Sequence, residues 1–191
     1  MLQLHDADLM SFVDDVKRRY EQVSEEYRNL HAPVIELSRQ GRAELFYERL
    51  KQHGENGWTP SWQIGTDEPN FGWMTYSLKF DGWFPSEAST KYPHTMELLS
   101  HPAFETCGFS LLRPLTVVGP HAHSRLGGDH LTLHLALDAE PGRSYLALSG
   151  TFLEERNGEA FVFDGSREHF AVNAGLRDRV ILYAEFDRAK L

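Results

Sequence analysis

The chain has 191 residues, 41% of them apolar and 25% charged, with a formal net charge of −9 at pH 7. That length supports one domain with a real core, or one domain plus a helical extension, and the composition is ordinary for a globular protein. The acidic balance argues against a nucleic-acid or anionic-membrane partner, because holding phosphate needs basic clusters that are absent from the sequence.

The amino terminus has no basic stretch and no long apolar run, so no signal peptide is expected, and no stretch of the sequence approaches the roughly 18 apolar residues that a membrane span needs. Leu9, Phe12, Val13, Val16, Tyr20, Val23 and Tyr27 then recur at three- and four-residue steps, which predicts a helix over 7–30. Val34, Ile35, Leu37, Ala43, Leu45, Phe46 and Leu50 predict a second over 33–52, interrupted at Gly41. The stretch 53–70, rich in Gly, Pro, Asn and Asp, reads as a loop. From residue 71 the pattern changes to short strand-like runs. Trp73–Phe80 comes first, then a short helix over His94–Leu99. Phe109–Arg113, Thr116–Val118, His130–Leu137, Ser144–Leu148, Glu159–Phe163, His169–Val172 and Arg179–Phe186 follow, with Gly and Pro between them. Seven or eight short strands so spaced predict an antiparallel sandwich or barrel. The single cysteine, Cys107, permits no intrachain disulfide, fits a reducing cytoplasm and reads as a small buried apolar residue.

Chemistry gathers on the later strands. Side chains alternate along a strand, so His130, Thr132, His134 and Ala136 share one face and four leucines share the other. The leucine face must pack on core or helices, and the polar face suits the inside of a pocket. His121 and His123 share a face behind Pro120, and His169 begins a strand after the turn Asp164-Gly-Ser. Neutral imidazole is the commonest protein ligand for iron, copper and zinc, so these histidines are the candidate metal residues. His5, His31, His53, His94 and His101 read instead as surface or hydrogen-bonded residues. Arg179 opens an apolar strand and has two readings. It pairs with the carboxylate of a bound ligand, or it is an edge residue paired with Asp178 or Glu185.

Five segments in order carry a resemblance. They are Trp73-Met-Thr-Tyr-Ser-Leu with Asp81-Gly82, Tyr92-Pro-His-Thr-Met-Glu-Leu-Leu99, Phe109-Ser-Leu-Leu-Arg-Pro-Leu-Thr-Val-Val-Gly-Pro-His121, His130–Leu137, and Gly158–His169 followed ten positions later by Arg179. Over residues 70 to 187 they resemble the aspartyl/asparaginyl β-hydroxylase-like domain of the iron(II)/2-oxoglutarate oxygenases. The resemblance implies a double-stranded β-helix, an iron(II) site, 2-oxoglutarate as cosubstrate, molecular oxygen and hydroxylation of an amino-acid side chain. By position it makes His121 and His169 the iron ligands. Arg179, helped by Ser110, meets the distal carboxylate of 2-oxoglutarate, and His134 its other end. Thr132 stands where members acting on proteins carry an arginine. His123 stands where many iron oxygenases carry a carboxylate. It is a third ligand, a substrate-facing group, or, with a two-residue shift, the first ligand. The glycines at 127 and 128 are expected to bend the chain away and aim His123 at the pocket entrance.

The reading is a mainly β protein, a jelly-roll (cupin-like) double-stranded β-helix over 71–191 with an N-terminal helical layer over 1–70. It is expected to be a cytoplasmic oxygenase acting on a small-molecule or peptide substrate. Its rivals are a cupin-like metal-binding module without turnover and a three-histidine metal enzyme that does not use 2-oxoglutarate.

Overall fold

Residues 7–35, 57–66, 68–124 and 126–191 are described by the structure, a computed structural model. The helical period of the first segment resolves into two helices rather than one, α1 (Ala7–Arg18) and α2 (Tyr20–Arg28), broken at Arg19. Their apolar faces are deeply buried at Leu9, Val16 and Val23. The helix expected from residue 33 does not begin there. Pro33–Ile35 is extended: the Trp58 amide donates to the Pro33 carbonyl (2.8 Å) and the Ile35 amide to the Trp58 carbonyl (2.7 Å). A β-branched pair following proline favours that extended pairing over a helical turn. The rest of that expected helix lies outside the described residues.

Ten strands follow among the described residues: β1 (Thr59–Trp62), β2 (Pro69–Phe80), β3 (Phe104–Leu112), β4 (Thr116–His121), β5 (His130–Asp138), β6 (Ser144–Leu148), β7 (Thr151–Glu154), β8 (Ala160–Phe163), β9 (His169–Asn173) and β10 (Arg179–Asp187). The expected loop over 53–70 therefore contains β1 and the start of β2. Pro60 does not prevent this, because β1 is an edge strand, where a missing N–H can face away from the ladder. Two short helices, α3 (Ala88–Lys91) and α4 (Pro93–Leu99), precede β3, and α3 was not anticipated from the sequence.

The strands form two antiparallel sheets, one ordered β1-β2-β3-β10-β5-β8 and the other β4-β9-β6-β7. This is a jelly roll, and the fold is mainly β, cupin-like, with N-terminal helices. One face of the large sheet is apolar. Leu131, Leu133, Leu135 and Leu137 of β5 join Leu9, Val16 and Val23 in a single core, as the alternation on β5 requires. The helices are also fastened by polar contacts. Lys17 Nζ meets Glu159 (2.7 Å), and the Glu26 carboxylate accepts from the amides of His94 and Thr95 (both 2.8 Å) at the start of α4. With that face covered, the opposite face of β2, β3, β5 and β10 is left to look towards the small sheet. Among the described residues no helix is long and apolar enough to cross a membrane.

Candidate metal centre

A cavity of about 280 Å³ lies between the sheets, and on β10 the alternating residues Arg179, Ile181, Tyr183 and Glu185 all line it. The histidines of the small sheet close it from the other side. The pairing of β4 with β9 shifts register between Val118 and His121, and His121 then stands directly opposite His169. An irregularity of this kind re-aims side chains next to it, and here it falls on the Gly119-Pro120 step. His123 is held near the same place by its amide, which donates to the Gly165 carbonyl (2.9 Å) in the turn between β8 and β9. That turn is fixed by Asp164, whose Oδ1 accepts from the Ser166 amide (2.9 Å) and hydroxyl (2.6 Å).

The three rings meet. Centroids are 4.4 Å apart for His121 and His169, 5.1 Å for His121 and His123, and 5.2 Å for His123 and His169. One ligand atom from each lies within 4.8 Å of the other two. His121 Nδ1 is 2.8 Å from the Gly119 carbonyl and His169 Nδ1 is 2.8 Å from the Arg167 carbonyl. A carbonyl only accepts, so both Nδ1 atoms carry the proton, and Nε2 is left with a lone pair. Burial pushes the His169 pKa down to about 4, so at neutral pH the ring is in the uncharged form a cation needs. Three such nitrogens fit a divalent transition metal. The Leu126 amide donates to the His123 carbonyl (3.0 Å), ahead of the two glycines. The hydrogen bond to Gly165 keeps His123 in the cluster rather than at the entrance.

Arg179 has a different neighbour from any the sequence suggested. Its Nε donates to Glu155 Oε2 (2.6 Å), and its Nη2 donates to Glu155 Oε1. The same Oε1 lies 3.3 Å from His134 Nδ1. Glu155 is 0% exposed and Arg179 2%. Burial alone would raise the Glu155 carboxyl, but the Arg179 charge and the hydrogen bonds from His134 and Arg179 hold it well below its ordinary value. Burial also holds the His134 imidazole below its usual value, against the pull of Glu155. Asp178, one of the partners considered for Arg179, is instead bonded to Arg113 (2.8 Å).

The other expected residues divide. Ser110 lines the cavity and accepts from Trp73 Nε1 (3.2 Å), while Trp73 packs 5.9 Å from the His121 ring. Thr132 is fully buried but is not on the cavity wall. It packs beneath Gly165, where a Cβ would come within 2.4 Å of its hydroxyl oxygen. His130, at the end of β5, turns to Glu105 (3.1 Å). The structure adds two residues that were not singled out, Glu155 and Tyr183, and gives Glu185, considered as a partner of Arg179, a different neighbour. The Tyr183 hydroxyl donates to Glu185 Oε1 (2.7 Å), and that oxygen lies 3.9 Å from His123 Nδ1. The period of two along β10 puts Tyr183 and Glu185 on the face of Arg179 and could have found them.

Comparison with known proteins gives a family and a set of fold likenesses. The family described as aspartyl/asparaginyl beta-hydroxylase matches residues 17–189, starting well before residue 70, where the resemblance begins in the sequence. No curated protein matches. Among solved structures, the chain is similar to a predicted oxalate decarboxylase from Thermotoga maritima (15% identity, 60% of this chain and 80% of that one, TM-score 0.41). It is also similar to KdgF from a Halomonas species (16%, 67% and 94%, 0.42) and to the Cnp3 cupin domain of Schizosaccharomyces pombe (10%, 60% and 64%, 0.41). These are likenesses of fold and say nothing of the site.

Proposed function

The chain belongs to the aspartyl/asparaginyl β-hydroxylase family, and from that premise we propose that it is an iron(II)- and 2-oxoglutarate-dependent oxygenase. Its substrate would be an amino-acid side chain, free, carrier-bound or in a peptide, and its compartment the cytoplasm. The observation that carries the reading is the cluster of His121, His123 and His169 on a cavity wall, with Nδ1 of two rings tied to backbone carbonyls.

His121 and His169 would hold the metal, with His123 as a third ligand. Tying Nδ1 fixes tautomer and ring direction, so the ligand nitrogens are set before the metal arrives. Bound there, iron(II) would activate oxygen, and oxidation of 2-oxoglutarate to succinate and carbon dioxide would supply the two electrons that hydroxylation needs. Ser110, His134 and Arg179 line the same cavity and match a dicarboxylate in kind. Glu155 is the observation that tests this fit: a carboxylate rests on Arg179 and His134, so this corner accepts one. The apolar rims of Trp73, Val118 and Ile181 restrict water around the reacting centre.

A second reading has its own support. The third imidazole, together with an Arg179 already paired to Glu155, also suits a three-histidine metal enzyme that works without 2-oxoglutarate. One experiment separates the two. The purified chain is supplied with iron(II), oxygen and 2-oxoglutarate, with and without amino acids and short peptides, and succinate is measured. Release above the level of a His169→Ala control is expected. Succinate no greater than in that control under every condition would leave the second reading standing.

A further inference from the structure

We propose that Glu155 is a resident carboxylate that competes with a ligand carboxylate for Arg179, and so decides how strongly the site selects dicarboxylates. The inference rests on the reading that a 2-oxo acid binds at the metal.

A guanidinium binds a carboxylate best along one edge, through two parallel N–H groups. In Arg179 the Nε–Nη2 edge is taken by Glu155. The same carboxylate reaches His134, so one side chain of this protein touches both residues assigned by resemblance to the two ends of the cosubstrate. Glu155 is fully buried, and little solvent screens the pair. An incoming dicarboxylate therefore meets a balanced charge at Arg179.

Nor can the backbone easily carry Glu155 away. Its amide donates to the Ser144 carbonyl (2.9 Å), and the loop beyond it is fastened at two further points: the Asn157 side chain accepts from the Ala139 amide (2.7 Å), and the Gly158 amide donates to the Ala136 carbonyl (3.0 Å). Displacing Glu155 is then a side-chain event. What a ligand's distal carboxylate gains on Arg179, Glu155 loses. In the wild type that carboxylate contributes little to affinity, and a 2-oxo acid without it binds about as well. No residue outside this chain's own triad is needed for the effect.

The test uses two ligands and two proteins. Binding of 2-oxoglutarate and of 2-oxopentanoate, which lacks the distal carboxylate, is measured by calorimetry on the manganese(II)-loaded chain without oxygen, so that no turnover intervenes. The wild type should bind the two within about three-fold of each other, and Glu155→Gln, which keeps an acceptor and removes the charge, should prefer 2-oxoglutarate by about ten-fold or more. Adding Arg179→Met to Glu155→Gln should erase that preference. A wild type that already prefers 2-oxoglutarate by about ten-fold, with Glu155→Gln unchanged, overturns the role of Glu155 and leaves the oxygenase reading intact. If neither ligand binds either protein while manganese still binds, the 2-oxoglutarate reading itself falls, and this inference with it. Thermal unfolding reports whether Glu155→Gln is folded; if it is not, the ligand pair on the wild type decides alone.

Discussion

In one group on the cavity wall three imidazoles stand with ligand nitrogens within 4.8 Å of one another; in a second, Glu155 bonds both Arg179 and His134. The first group sets like against like. Three imidazoles converge, and His121 and His169 have each spent their only N–H on a backbone carbonyl, which leaves Nε2 of both rings with a lone pair. Such a set has the chemistry to hold a cation. The second group sets opposite charges together and is satisfied from within. The contrast explains why residue types alone mislead here: a histidine cluster and a buried arginine both suggest a ligand, yet the arginine already has a carboxylate of this chain along one edge.

Breaking the Arg179–Glu155 pair should produce the largest effect. Arg179→Ala leaves Glu155 charged, fully buried and without its guanidinium, a change expected to cost about 3–5 kcal/mol of folding stability. Replacing both partners by apolar residues of similar size, as in Arg179→Met with Glu155→Leu, should recover most of that loss. Denaturant unfolding of the single and double variants measures it. A single variant as stable as the wild type would mean that the pair does not form in solution.

Acid should weaken the same pair more gradually. The Glu155 pKa is lower in the folded chain than its ordinary value of 4.5, so the unfolded chain binds the proton more readily. Its contribution is fully present above pH about 4.5 and is lost as the pH falls towards about 2. Unfolding free energies measured from pH 5 downwards should therefore fall more steeply for the wild type than for Glu155→Gln. Parallel curves would remove Glu155 as the source.

At the histidine cluster the expected loss is in affinity rather than in folding. His169→Ala should lower metal affinity by at least about a hundred-fold, beyond what the loss of a group merely supporting a ligand costs, with little change in the unfolding midpoint. His123 sharpens the comparison. Its ring is as close to His169 as to His121, so His123→Ala should cost about as much metal affinity as His121→Ala. Metal titrations of the three variants side by side check this. Full retention of affinity in His123→Ala would return it to a substrate-facing role.

Much of the fold was legible because its signals are local. Period two along β5 separates the leucines from His134, and the β4 and β9 histidines are each announced by a neighbouring turn or proline. Glu155 was not legible, since Glu154-Glu155 in a polar run looks like solvated surface, and only the closure of β6 and β7 brings the second of them beneath Arg179. The strand β1 was missed for a related reason: pairing with β2 overrides a weak local preference.

Thr132 gives the smallest effect and tests the limits of reading by strand alternation. It lies on the face of His134, and by resemblance it stands at a cosubstrate position. His134 reaches the cavity, whereas Thr132 is covered by Gly165, whose missing side chain lets the β8–β9 turn close directly onto it. A shared face therefore does not mean a shared cavity, because what is stacked above each residue decides which of them a ligand can touch. Thr132→Val, which preserves shape and removes the hydroxyl, should leave binding of manganese(II) and of 2-oxoglutarate within about two-fold of the wild type and shift stability by no more than about 1–2 kcal/mol. A clear loss of 2-oxoglutarate binding with metal binding retained would put Thr132 back on the ligand's path, and would require the Gly165 turn to open when the ligand enters.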